Sequence, residues 1–371
     1  MITNVISPFV NDGEINIDKE NWARLKNEYS RPELEDMIVD LILDGQIHFP
    51  FKEITHERAI ETQKKLMKFE NHPLNGTCYF RNTDEIGYTY FQSGNQFNEA
   101  SNYYHQISRM KCASKSHKSP IESWSDRKGV KQILGGIFTI KFEYVNSAVL
   151  RNVIQLRTYT ASQFKPANAK GIYDLFKAER VVDPCAGWGD RLSGFFASRY
   201  TKSYFGIDPN TNLTEGYQQQ IYDYGQLAPE KEAYIVCGCA EDPSIPFPEC
   251  DLVFTSPPYF ETEHYSDDPG QSYLQYTTLE LWLKNFLFKV VDKSYTALVQ
   301  GGHMCLNIAD VKSKGKIQSI CQPMVEYAQS LGFRYEGCMG VRIVPRINTK
   351  IDTDGHEDHV YCEQIYTFTK I

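Results

Sequence analysis

The segment Val181-Val182-Asp183-Pro184-Cys185-Ala186-Gly187-Trp188-Gly189-Asp190 decides the fold of this 371-residue chain. The short apolar stretch Arg180–Val182 ends in a carboxylate, small residues and two glycines follow, and Leu192–Arg199 then has helical periodicity. A strand, a glycine turn and a helix in that order form the opening of a parallel β/α unit. The rhythm continues downstream. Ser203–Ile207 is a strand ending at Asp208, Thr214–Tyr224 a helix, Ala233–Cys237 a strand, and Asp251–Thr255 a strand that stops at Ser256-Pro257-Pro258. Leu279–Thr296 is expected as one long amphipathic helix and His303–Ile308 as a further strand. Gly337–Val344 and Tyr361–Thr369 read as two strands joined by a polar loop, an antiparallel pair closing the sheet edge.

The expected fold class is therefore α/β: a Rossmann-like, mostly parallel seven-stranded sheet with an antiparallel C-terminal hairpin, covered by helices on both faces. It occupies residues 151–371. Residues 1–150 are less regular, with a helix at Ile54–Phe69 and an aromatic, Asn- and Gln-rich stretch at Tyr79–Tyr104, and are expected to form an α+β accessory domain suited to target recognition. Tyr88, Tyr90, Phe91, Tyr103 and Tyr104 can stack bases there, although a packed small domain explains them equally well.

Composition excludes several classes. A 41% hydrophobic content supports sizeable cores, while no run of about 18 apolar residues and no signal-like N-terminus is present, so a cytoplasmic setting without membrane is expected. The ten cysteines lack metal or disulfide spacing and read as reduced thiols. His356-Glu357-Asp358-His359 has no evident third ligand, so no metal is assigned. The net charge of −8 runs against a nucleic-acid partner. However, Arg109, Lys111, Lys115, Lys118, Arg127, Lys128 and Lys131 cluster, so one face is left open as basic.

Two constellations carry chemistry. At the first, Gly187 and Gly189 have no side chain to block a ligand and accept positive φ, so the backbone of Cys185, Ala186, Gly187, Trp188 and Gly189, beyond Asp183, can lie against a nucleoside and a methionine tail. The GK[ST] ending of a phosphate loop is absent. Asp208, about 25 residues after Asp183 and followed by Pro209, is placed to accept from both ribose hydroxyls. Ala240-Glu241-Asp242 follows the third strand, where a carboxylate can accept from an adenine amino group. Such features also occur singly in doubly wound proteins that bind other ligands.

At the second, Ser256-Pro257-Pro258-Tyr259 ends the fourth strand. Two consecutive prolines remove both N–H donors and stiffen the loop. An exocyclic amino nitrogen, whose lone pair is delocalised into its ring, becomes a better nucleophile when acceptors such as Ser256 Oγ and the Pro257 carbonyl hold its N–H bonds. Tyr259 offers a face for a base removed from its helix.

On these residues the chain resembles the S-adenosylmethionine-dependent DNA amino-methyltransferases, whose glycine turn and [DNS]-P-P-[YFW] motif match DPCAGWGDRLSG and TSPPYF over roughly Val153–Ile371. The resemblance implies S-adenosylmethionine as cofactor and adds Ser162, Phe164, Lys165 and Pro166 as the segment holding its methionine end. It implies transfer to cytosine N4 or adenine N6 of DNA, with RNA, a protein side-chain amide or a small amine as alternative acceptors. A non-catalytic nucleic-acid-binding subunit is the alternative of another class. Recognition then falls to residues 1–150, to the acidic Glu261–Tyr276 loop or to Arg346–His359, with Arg342, Arg346 and Lys350 able to line a groove.

Overall fold

The computed structural model describes residues 4–80, 82–313, 315–343 and 360–371. Arg346, Lys350 and the His356–His359 segment lie outside the described residues. The chain divides into two compact units, one of residues 1–53, 107–162 and 263–265, the other of residues 54–106, 163–262 and 266–371.

This corrects the boundary expected at residue 150. The larger unit takes in the aromatic stretch, and its sheet comprises β1 (Leu74–Phe80), β2 (Ile86–Phe91), β3 (Arg180–Asp183), β4 (Ser203–Asp208), β5 (Glu232–Cys237), β6 (Cys250–Thr255), β7 (Leu298–Asn307), β8 (Phe333–Arg342) and β9 (Val360–Lys370). Seven of these run in the order β5-β4-β3-β6-β7-β9-β8. The first five are parallel, and β9 is antiparallel to both neighbours. The expected parallel sheet with its closing hairpin is present, but among the described residues it has nine strands, because β1 pairs with the start of β9 and β2 with the end of β8. Since β1 and β2 also pair with each other, the four strands close a ring. Cys78, Phe80 and Cys362 fill it, and Gly87 and Gly340 sit where a Cβ would meet Cys338 O at 2.7 Å and Cys362 Sγ at 2.7 Å. Closure leaves the hairpin without a bare edge at that end.

Helices α1 (Pro166–Phe176), α2 (Asp190–Ala197), α3 (Thr214–Gly225), α4 (Phe288–Ala297) and α5 (Cys321–Leu331) belong to the same unit. Pro166 starts α1 at a position where its missing N–H costs nothing. Strand β6, Cys-Asp-Leu-Val-Phe-Thr, is buried at all positions but Asp251, as a strand covered on both faces must be. The long helix expected at Leu279–Thr296 is present as Leu279–Trp282, a π-helical turn at Leu283–Leu287, and α4. With α5 it buries Trp282, Phe286, Val290, Val291 and Met324 against one face of the sheet.

The smaller unit is mainly helical: Lys19–Glu28, Arg31–Leu43, Arg127–Ile140 and Ser147–Arg157 pack around Trp22, Leu34, Ile38, Leu134 and Val153. Its helices are capped locally, Asp18 accepting from Asn21 N and Asn146 from Val149 N. Much of the expected basic face is neutralised within this unit. Arg127 pairs with Asp36 (3.2 Å) and Asp40, Lys131 with Asp36 (2.6 Å), and Lys118 with Asp126 (3.5 Å). Among the described residues no helix is long and apolar enough to cross a membrane.

Candidate active site

Strands β5, β4, β3 and β6 are adjacent and parallel, so their carboxyl ends form one rim. Gly187 and Gly189 adopt φ of +62° and +70°, the left-handed region in which a Cβ is penalised. Their surroundings differ. A Cβ at Gly189 would lie 2.2 Å from Gln220 Oε1 and 2.9 Å from the His105 ring, whereas one at Gly187 would meet nothing nearer than 3.8 Å. Gly189 is needed for packing, whereas a Cβ at Gly187 would make only ordinary van der Waals contacts, so the turn there is constrained by its φ and not by crowding.

Asp208 ends β4 and is almost wholly buried. It accepts from Gly187 N (2.9 Å) and Asn210 N (3.0 Å), which joins the two strand ends. Burial raises its pKa to about 6 against the pull of these two N–H groups. Tyr217 of α3 donates to the Gly187 carbonyl, pinning the turn from the other side. At the end of β5, Glu241 accepts from Tyr276 Oη (3.1 Å), and burial raises its pKa. Asp242 instead accepts from Ser244 N, and Lys293 holds the carbonyls of Ala240 and Asp242. The Ser266–Gln271 segment seats over this corner, with Asp268 accepting from Thr211 N (3.0 Å) and Gly270 tight against Pro209 and Cys239. These residues fit a nucleoside cofactor: an open glycine turn, a buried carboxylate at the next strand end and a second carboxylate at the one after.

Asp183 does not join them. Its carboxylate is fully buried and engaged by Arg191 Nε (2.7 Å), Arg191 Nη2 (3.1 Å) and Tyr204 Oη (2.7 Å). Burial would lower the Arg191 pKa, but the Asp183 charge more than offsets this and holds it above the ordinary value. Arg191 also donates to Cys185 O, so the pair locks the turn from beneath. The ligand role expected for Asp183 is thus corrected to a scaffold role. Ala186 and Trp188 are buried, and Ala186 N donates to Ile207 O.

The segment ahead of α1 is split. Ser162 belongs to the smaller unit, where its N–H donates to Glu263, a carboxylate that also accepts from Tyr159 and Tyr265. Glu263 is therefore an internal hub of that unit. Phe164 packs edge-on against Phe254 with the Arg191 guanidinium 6.0 Å from its ring centre. Lys165 donates to Ser93 O (2.8 Å), and burial lowers its pKa, opposed by the charge of Glu363.

At the end of β6, Thr255 Oγ1 accepts from Cys185 N (3.0 Å) and ties the SPPY loop to the glycine turn. Pro257 is buried, while Ser256, Pro258 and Tyr259 are half-buried. Ser256 Oγ donates toward Asn307 O and Asn307 Oδ1, both 3.2 Å away. Tyr259 packs against the main core, with its hydroxyl 3.5 Å from Glu363 Oε1. Phe260 carries φ of +51°, an unfavourable value for a bulky residue, and is anchored by packing on Trp282. Sequence reasoning missed Arg191, Tyr217 and Asn307, and it read Thr255 as the first residue of the TSPPY segment without its bond to the glycine turn.

No family model matches the chain. A type II methyltransferase of Methanocaldococcus jannaschii, M.MjaVI, is 36% identical over 96 residues, covering 25% of this chain and 44% of that protein. The chain thus spans less than half the length of that relative, and this similarity accords with the resemblance read from the motifs. Among solved structures, TrmN from Thermus thermophilus is similar at 14% identity over 56% of this chain and 49% of that one, with a TM-score of 0.35. A SAM-dependent O-methyltransferase from Thermotoga maritima is similar at 15% identity over 57% and 67%, with a TM-score of 0.33. The topology described above rests on the strand pairing of this chain itself.

Proposed function

We propose that this chain transfers a methyl group from S-adenosylmethionine to an exocyclic amino nitrogen of a nucleic-acid base, cytosine N4 or adenine N6 of DNA. The observation that carries the reading is the junction of two loops. The Cys185 N to Thr255 Oγ1 bond of 3.0 Å holds an open glycine turn beside a Ser-Pro-Pro-Tyr loop at neighbouring strand ends.

In this reading Asp208 accepts from the ribose hydroxyls, Glu241 from the adenine amino group, and the Gly187 backbone with Phe164, Lys165 and Pro166 holds the methionine end. When bound, the cofactor supplies a methyl group on a sulfonium: the amine lone pair forms the C–N bond as the C–S bond breaks, a neutral thioether leaves, and the surplus proton on nitrogen goes to water. Ser256 Oγ and the Pro257 carbonyl accept from the amine N–H groups and free its lone pair for attack. Tyr259 supports the base plane. Rate then comes chiefly from positioning and fixed dipoles, with no strong base required.

The test is transfer of a labelled methyl group onto DNA, RNA and protein pools, followed by mass spectrometry of the digested products. N4-methylcytosine or N6-methyladenine in the DNA is the expected product. Label in RNA alone moves the substrate to RNA, and label in protein alone, insensitive to salt, overturns the nucleic-acid reading. Failure to bind S-adenosylmethionine would leave a non-catalytic binding subunit.

A further inference from the structure

We infer that Asn307 is a positioning residue that makes the Ser256 hydroxyl a one-way acceptor toward the substrate, so that the site takes an amino group and rejects the corresponding oxo group. This deepens the reading above and rests on it.

Asn307 is the last residue of β7 and is buried. Its Nδ2 donates to the main-chain carbonyl of Gln364 on β9 at 2.9 Å. That carbonyl can only accept, so the amide has one orientation, with Oδ1 turned to Ser256. Ser256 Oγ lies 3.2 Å from Asn307 Oδ1 and 3.2 Å from Asn307 O. Both are acceptors without a proton, so the single hydroxyl proton goes to one of them. The Ser256 lone pairs are left for whatever enters beside Pro257.

An amino group brings N–H donors to those lone pairs. A carbonyl oxygen, as in uracil or hypoxanthine, brings lone pairs instead and leaves both oxygens unpaired. A polar site built for a donor discriminates strongly against an analogue lacking it, because its own groups lose their partner. A serine free to rotate would donate to the carbonyl and accept either substrate. Gln364, Asn307 and Ser256 form a relay of orientation in which no proton moves, set by the antiparallel register of β9 on β7 that pairs Asn307 with Ile365.

The experiment is a double-mutant cycle of Asn307→Leu and Ser256→Ala, assayed for steady-state methyl transfer to an oligonucleotide carrying the acceptor base, with S-adenosylmethionine affinity measured by calorimetry. Asn307→Leu removes one of the two acceptors and leaves the main-chain carbonyl of residue 307 as the only one holding the hydroxyl proton, so kcat should fall about fivefold at unchanged cofactor affinity, the loss of one shared neutral hydrogen bond. The double variant should be no slower than Ser256→Ala, since the hydroxyl to be oriented is gone. Wild-type kcat in Asn307→Leu, or losses that multiply in the double variant, would overturn the inference while leaving the methyltransferase reading intact. Where Asn307→Leu fails to fold, Asn307→Asp serves. Its carboxylate still accepts from Ser256 Oγ and keeps that hydroxyl an acceptor toward the amine, so kcat should stay within about twofold of wild type, and a loss as large as that of Ser256→Ala overturns the inference. A wild-type chain that binds cofactor but methylates no nucleic acid overturns the underlying reading and this one with it.

Discussion

Replacing Asp183 by Asn separates a scaffold carboxylate from a ligand-binding one. Asp183 is fully buried, Arg191 is 5% exposed, and their contact at 2.7 Å is supplemented by Tyr204 at 2.7 Å. A guanidinium cannot be neutralised at any working pH, so Asp183→Asn leaves a buried cation without its counter-charge, at a cost of about 3–5 kcal/mol. At about 2–4 °C per kcal/mol for a unit of this size, the melting temperature should fall by roughly 10 °C. Arg191 also holds Cys185 O, so the glycine turn loosens and cofactor affinity drops as a consequence. The double replacement Asp183→Leu with Arg191→Met removes both charges and should recover part of the lost stability, because an apolar pair often substitutes for a buried ion pair at little cost while the Tyr204 hydroxyl and the Cys185 carbonyl are left without these partners. The assays are differential scanning calorimetry and cofactor titration of both variants beside the wild type. An Asp183→Asn chain that melts at the wild-type temperature yet fails to bind cofactor would refute this reasoning and return the carboxylate to the ligand.

The pKa of Asp208, raised to about 6 by burial, gives a pH signature. Between about pH 4 and 6 the folded apoprotein holds this proton more tightly than the unfolded chain does. Stability from this group is therefore full below about pH 4 and falls by up to about 3 kcal/mol as pH rises through 6. Cofactor affinity should move the opposite way, strengthening as pH rises through 6, because ribose hydroxyls donate to the ionised form. Titration calorimetry at pH 5 and pH 7 checks the sign. Gly189→Ala, which pushes a Cβ into Gln220 and His105, should cost several-fold more stability than Gly187→Ala, where only the left-handed φ of about 1–2 kcal/mol is at stake; chemical denaturation of both variants reads the difference. Ser256→Ala should keep the wild-type melting temperature and cofactor affinity while losing about tenfold or more in kcat, and full turnover would remove that side chain from the mechanism.

What could be read from the sequence was what a segment settles by itself. Gly187 and Gly189 were legible because positive φ is a local demand, and β6 because six largely buried positions followed by two prolines leave few alternatives. Asp208 was legible because alternating strands and helices put successive strand ends on one rim. The misreadings share a different cause: each concerns a side chain whose fate depends on a partner that only the folded chain supplies. Asp183 looks like Asp208 in sequence, but Arg191, eight residues on in α2, turns back beneath the strand and takes its carboxylate. The basic segment around Arg127 looks like a phosphate-binding surface until Asp36 and Asp40, some 90 residues earlier, fold against it. Strand β1 was hidden because its register shifts between Asn75 and Cys78, ahead of the aromatic stretch, which breaks the period of two that marks a strand. Asn307 could be recognised only once β9 had been laid beside β7, 57 residues away. The backbone architecture of the rim is thus a local property of the chain. The chemistry of each rim carboxylate and hydroxyl is set by long-range pairing, and for that reason Asp183, Asp208 and Ser256 are the positions where substitution most sharply tests the proposed function.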